Sequence, residues 1–216
     1  MFKAIIFDVD GVLLDSYEAN YVYIRDLGKL LGLKTPNKRL FLQDYYFRPT
    51  KEIFNRLNKI QNLLEFEEAL MAARGKITSH LSLEKFFEDC NSTLNKLSKK
   101  YKLGVATSRS APGLNRYLKL AKTKKYFKAI VGLEDVKNHK PHPEPLLLAC
   151  KKLKVKPSQA VYIGDAPSDV IAAHAAGMLA IGYGKRKVKN EDLHVSHFNK
   201  LIPAIKKLET QYVQTP

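Results

Sequence analysis

Tryptophan is absent from this chain, cysteine occurs twice and methionine three times. Cys90 and Cys150 lie far apart and match no metal-ligand or redox spacing. Each falls on the apolar stripe of an expected helix, so both read as buried free thiols, which suits a reducing compartment. No uninterrupted apolar run reaches about 18 residues, and this excludes a helix that spans a bilayer. The N-terminus passes straight into an apolar strand without the charged and apolar regions of a secretory signal. A cytoplasmic protein with no membrane partner is the expectation. Acidic residues are also scarce: 37 Lys and Arg face 21 Asp and Glu, for a formal charge of +16. That balance bears on partners and association rates rather than on fold. It attracts phosphorylated metabolites and, non-specifically, nucleic acid. The lysines are spread over most expected helices, with one compact cluster at Lys185, Arg186, Lys187 and Lys189. No RNA-binding aromatic signature, zinc knuckle or helix-turn-helix pattern accompanies them, so no specific nucleic acid is expected.

What the chain has in quantity is apolar surface, 45% of its residues, distributed in a regular order. Five short apolar segments predict buried strands: Ala4 to Phe7, Leu103 to Ala106, Ala129 to Val131, Ala160 to Ile163 and Leu179 to Gly182. Helical spacing fills the gaps, as in Leu146, Leu147, Cys150 and Leu153, and in Leu201, Ile202, Ile205 and Leu208. The alternation predicts an α/β fold with a doubly wound parallel sheet, whose chemistry lies at the carboxyl ends of the strands. Between about Ser16 and Leu81 the pattern is almost wholly helical. Tyr17, Tyr21, Ile24, Leu27 and Leu31 form one stripe there, and Ile53, Leu57, Ile60 and Leu64 another. A following helix from Leu83 to about Leu97 would turn Phe86, Phe87, Cys90 and Leu94 to one face. The expected division is a core of residues 1–15 and 82–216 with a helical cap of 16–81. Such an insertion could close over the site as a lid or pack as a rigid extra layer. Residues 211–216 read as a frayed end.

Four segments carry chemistry. Phe7-Asp8-Val9-Asp10-Gly11-Val12 ends the first strand with two carboxylates that a glycine turn can aim into one pocket. Their repulsion calls for a cation, and one could attack an electrophile while the other exchanges protons. At the end of the second strand, Thr107-Ser108-Arg109 offers hydroxyls and N–H groups to phosphate oxygens, or simply caps the next helix. In Asn138-His139-Lys140-Pro141-His142-Pro143-Glu144-Pro145, three prolines are expected to hold the stretch extended. Lys140 could then neutralise a phosphate and an attacking carboxylate, or stand as an ordinary exposed lysine. Finally Gly164-Asp165-Ala166-Pro167-Ser168-Asp169 closes another strand. Asp165 is placed for a hard cation; Asp169 could reach the metal, orient Lys140 or cap the helix.

In order and together, these segments resemble the four motifs of the haloacid dehalogenase-like hydrolase superfamily. The resemblance covers essentially the whole chain, and the helical insertion looks like the cap of the phosphoglycolate phosphatase and β-phosphoglucomutase subgroup. It implies a Mg²⁺-dependent phosphatase acting on a small phosphorylated metabolite, as a monomer or homodimer. Asp8 would attack phosphorus to give an aspartyl-phosphate, and Asp10 would serve as general acid, then base. Mg²⁺ would be held by Asp8, the backbone carbonyl of Asp10 and Asp165, with Asp169 in direct or indirect contact. Thr107, Ser108 and Lys140 would receive the transferring phosphoryl group.

The same resemblance separates the reactions of the superfamily. Dehalogenation needs no acid two positions after the nucleophile, so Asp10 favours phosphoryl transfer. A sugar-phosphate mutase is the competing enzyme, but mutases place histidine where this chain has Asn20, and asparagine does not titrate near neutrality. Asn20, Arg48 in an altered cap motif Phe47-Arg48-Pro49, and Arg109 are further candidate substrate contacts. A third reading, of another class, is a basic nucleic-acid-associated protein on a phosphatase fold.

Overall fold

The segment Ala4–Phe7 is apolar at every position, and a strand of that kind is stable only with cover on both faces. The computed structural model, which describes residues 1–73 and 75–213, gives it that cover. From the N-terminus the chain forms β1 (Ala4–Phe7), β2 (Leu14–Asp15), α1 (Tyr17–Leu31), α2 (Lys38–Leu40), a π-helical turn Phe41–Tyr45, α3 (Thr50–Asn58) and α4 (Leu63–Ala73). Then come β3 (Lys85–Phe86), α5 (Cys90–Ser98), β4 (Lys102–Ala106), α6 (Ala111–Leu120), β5 (Phe127–Val131) and α7 (Glu144–Leu153). The chain ends with β6 (Ala160–Gly164), α8 (Pro167–Ala175), β7 (Leu179–Tyr183), β8 (Leu193–Val195) and α9 (Leu201–Val213). Two compact units result, one of Met1–Leu14 with Phe86–Pro216 and one of Asp15–Lys85.

The larger unit holds a six-stranded sheet in the order β5-β4-β1-β6-β7-β8. Every pairing in it is parallel, so each strand needs a crossover, and the order grows outward from β1 in both directions. Alternation along the strands divides the core. Ile5, Phe7, Val105, Val161 and Ile163 face one layer with Leu94 and Leu97 of α5, Tyr117 of α6 and Leu201 and Ile205 of α9. Ala4, Ile6, Ala160 and Tyr162 face the other, with Leu146 and Leu153 of α7 and Val170 of α8. Both cysteines are buried and free. Each fully buried large apolar side chain here contributes roughly 1.5–3 kcal/mol relative to exposure.

The smaller unit is helical and has its own core, in which Ile24 and Leu27 of α1 meet Phe41, Ile53, Phe54, Phe66 and Leu70. No helix among the described residues is long and apolar enough to cross a membrane.

Several local expectations are corrected. The stripe from Ile53 to Leu64 is not one helix: Lys59 takes a left-handed conformation (φ 51°) that ends α3, and Leu64 is exposed. The expected helix from Leu83 begins only at Cys90; the short strand β3 takes up Phe86, which is exposed. A sixth strand, β8, was not expected, because Leu193-His194-Val195 is too short and too mixed to show a period. Residues 211–213 continue α9, while residues 214–216 lie outside the described residues.

Candidate active site

The carboxyl ends of β1, β4 and β6 lie side by side, since Phe7 is in register with both Val105 and Ile163. Asp8 therefore leaves the sheet at its centre, its N–H still donating to the Ile163 carbonyl at 2.9 Å. The chain then turns back tightly, with Leu13 and Leu14 N–H both donating to the Val9 carbonyl at 2.9 Å. Gly11 makes this turn at φ +72°, and a Cβ there would run into the Asp165 carboxylate. The glycine thus seats one motif against another.

Asp8, Asp165 and Asp169 are all buried, and oxygens of the three lie within 4.8 Å of one another. Burial is the largest influence on Asp8 and lifts its carboxyl to about 6; Lys140 pulls against this, while Asp169 and Asp10 push the same way. Asp8 Oδ1 is buried and makes no hydrogen bond; its neighbour is the Lys140 ammonium, 3.2 Å away. Three desolvated carboxylates converging in this way form an all-oxygen donor set that fits a hard divalent cation.

Lys140 is brought to the same place. Its ammonium lies 2.6 Å from Asp169 Oδ1 and 3.2 Å from Asp8 Oδ1, and it donates to the Tyr162 hydroxyl at 3.0 Å. Burial opposes its charge, but Asp169 and Asp8 outweigh burial and hold the lysine well above its ordinary range. The prolines around Lys140 do not make the stretch extended as expected. It turns, with a cis Lys140–Pro141 bond, and His142 N–H donates to the His139 carbonyl at 2.9 Å before α7 starts. The Lys140 side chain is nevertheless buried.

Asp169 organises its own loop. Its Oδ2 accepts from the backbone N–H groups of Asp165 at 3.1 Å and Ala166 at 3.0 Å at the start of α8, and its Oδ1 takes Lys140. Capping and lysine orientation are thus carried out by one carboxylate. Thr107 is buried at the end of β4, its N–H bound to the Val131 carbonyl at 3.0 Å, whereas Ser108 is exposed. Asp10 turns to Arg109, which donates from Nε at 3.0 Å and from Nη2 at 2.7 Å.

Two expected contacts belong to the helical unit. Arg48 is tied there to the Asp44 carbonyl and to Glu52, and Asn20 Nδ2 lies 3.4 Å from Ser16 Oγ. Two partnerships could not be foreseen. Tyr162 supports Lys140 while donating to the Ala106 carbonyl at 2.7 Å; the only hint was a phenol within an otherwise apolar strand. The pairing of Arg109 with Asp10 had no local signal.

The haloacid dehalogenase-like hydrolases match this chain over residues 5–183. The chain belongs to that family. A pyrophosphatase PpaX from Bacillus velezensis is 32% identical over 188 residues, spanning 83% of this chain and 82% of the relative. A phosphoglycolate phosphatase from Salmonella typhimurium is 38% identical over 110 residues, but only 48% of this chain and 44% of that protein are aligned. Among solved structures, a β-phosphoglucomutase from Clostridium difficile superposes with a TM-score of 0.74 at 26% identity, covering 99% of both chains. The family is one of hydrolases, so the chain is an enzyme of that kind, and several of its relatives are named phosphatases. Its α/β core is the fold expected from the alternation of strands and helices.

Proposed function

We propose that the protein is a Mg²⁺-dependent phosphomonoester hydrolase that works through an aspartyl-phosphate at Asp8. The observation that carries this reading is the approach of the Lys140 ammonium to 3.2 Å from Asp8 Oδ1, with Asp10 two residues further on the same turn. A cation beside the nucleophile lets a dianionic phosphate come up to a carboxylate that would otherwise repel it.

In this reading an Asp8 oxygen forms a bond to phosphorus as the ester P–O bond breaks, and Asp10 gives its proton to the leaving oxygen. Asp10 then takes a proton from the water that attacks the Asp8 phosphate, releasing phosphate and restoring both carboxyl groups. Thr107 and Lys140 receive the equatorial oxygens, with Ser108 beside them. Mg²⁺ would neutralise charge between Asp8 and the phosphoryl group. Asp8 and Asp165 are the residues best fitted to hold it, with the Asp10 carbonyl. Asp169 acts through Lys140 and the α8 turn, because both of its oxygens already have partners.

The substrate is a small phosphorylated metabolite. By their names, the phosphoglycolate phosphatase relative acts on a phosphomonoester of this kind and the pyrophosphatase relative on pyrophosphate, a small phosphoanhydride. Asn20 in place of a titrating histidine favours hydrolysis over the mutase alternative. The test is release of inorganic phosphate from a panel of phosphorylated metabolites with Mg²⁺, together with beryllofluoride trapping. Adduct formation on Asp8 supports the reading; turnover with Asp8 unmodified in the trap overturns it.

A further inference from the structure

The site contains an ion pair for which the reaction above has no use. Arg109 engages both oxygens of Asp10 in one fork, Nε on Oδ2 at 3.0 Å and Nη2 on Oδ1 at 2.7 Å. The arginine backbone is held on both sides: its N–H lies 3.3 Å from Thr107 Oγ1 and its carbonyl accepts Leu133 N–H at 3.1 Å. The Arg109 side chain is 12% exposed and that of Asp10 is 27% exposed, so Asp10 is the more open of the two.

A carboxylate held this way is poorly placed to work as an acid. The oxygen that must carry the proton already faces a guanidinium N–H, and at least one of the two bonds has to be given up. Arginine keeps its charge at any working pH, so loss of its own proton cannot open the fork. A competing anion can, because the same planar donors suit a carboxylate or a phosphate equally well. Asp10 addresses the leaving oxygen, and Arg109 stands directly beside Asp10. The anion that reaches Arg109 is therefore one carried by the leaving group, not the phosphoryl group received by Thr107 and Lys140.

We propose that Arg109 is an anion-operated latch on Asp10, opened when the leaving group of the substrate presents its own negative charge to the guanidinium. The inference rests on the reading of Asp10 as acid and base, and it narrows the substrate class. Favoured compounds carry a second anion, carboxylate or phosphate, on the part that departs. Phosphates of uncharged alcohols enter the same site but leave Asp10 engaged.

Three compounds with one two-carbon leaving skeleton test this: ethylene glycol monophosphate, 2-phosphoglycolate and ethylene glycol bisphosphate. Their free ends are hydroxyl, carboxylate and phosphate. The Mg²⁺-loaded full chain should turn over at least one anionic member with a kcat about tenfold or more above that of the hydroxyl compound. Arg109→Gln should compress that kcat ratio to within about twofold, and Arg109→Lys, which keeps the charge but loses the fork, should retain part of it. Which anion gains decides between carboxylate and phosphate. Equal proportional loss of kcat on all three compounds in Arg109→Gln would overturn the latch and leave Arg109 as a prop for Asp10. So would a wild-type preference expressed in KM alone. Ordinary turnover of the hydroxyl compound by Asp10→Asn would instead overturn the assignment of Asp10 itself, whatever Arg109 does.

Discussion

The Lys140 ammonium meets Asp169 Oδ1 at 2.6 Å, with side-chain exposures of 4% and 1%. Separating two desolvated charges leaves one stranded, and breaking a buried pair of this kind costs about 3–5 kcal/mol. Asp169→Asn should lower the unfolding free energy, read from urea denaturation, by an amount in that range and also depress kcat, because Lys140 loses its anchor. A variant with wild-type stability and turnover would show that the pair holds nothing in place.

Asp8→Asn should abolish turnover, by about a thousandfold or more, since an amide oxygen does not serve as the nucleophile. Circular dichroism and the unfolding midpoint should stay near those of the wild type, because the change removes charge from a crowded cluster. Ordinary phosphate release by this variant would remove Asp8 from the chemistry.

Chelation with EDTA should silence the enzyme, and added Mg²⁺ should restore it. The second readout is thermal. A cation that binds only the folded site raises the unfolding temperature by mass action, by about 2.7 kcal/mol of stability at a hundredfold excess over Kd. The rise should vanish in Asp165→Asn. A metal-independent rate would contradict the cation site.

Gly11→Ala tests the seat of the first turn. A left-handed φ costs an alanine roughly 1–2 kcal/mol, and its methyl group also displaces the Asp165 carboxylate. Stability should fall by at least that amount and the Mg²⁺ concentration needed for half-activity should rise. Unchanged metal dependence would show that Asp165 moves without consequence.

Tyr162→Phe removes the hydroxyl that joins Lys140 to the Ala106 carbonyl. Leaving buried partners unmatched costs about 1–3 kcal/mol. The fold should survive with a reduced denaturation midpoint and a smaller loss of kcat than Asp169→Asn gives.

Much of this arrangement was legible in the sequence because it depends on strand ends. Asp8 and Asp165 each follow an apolar run, and the glycines beside them announce where the chain leaves the sheet. Lys140 was legible by its isolation among prolines, although those prolines produce a turn and not an extended stretch. Contacts between distant segments left no mark. Arg109 and Asp10 stand 99 positions apart, and nothing in either neighbourhood names the other. Tyr162 looked like any other strand residue until Lys140 was placed beside it. The start of α5 was misjudged because Phe86 and Phe87 continue its apolar spacing, while β3 takes up Phe86 instead.

The central strand carries a consequence for how the enzyme comes into being. β1 is flanked by β4 and β6, which are supplied some hundred and some hundred and sixty positions later in the sequence. A partly synthesised chain therefore carries Asp8, the proposed nucleophile, long before it carries Lys140 and Asp165, which the proposal sets beside it. On the proposed mechanism, turnover needs the sheet closed around its first strand, so recovered activity would report that closure.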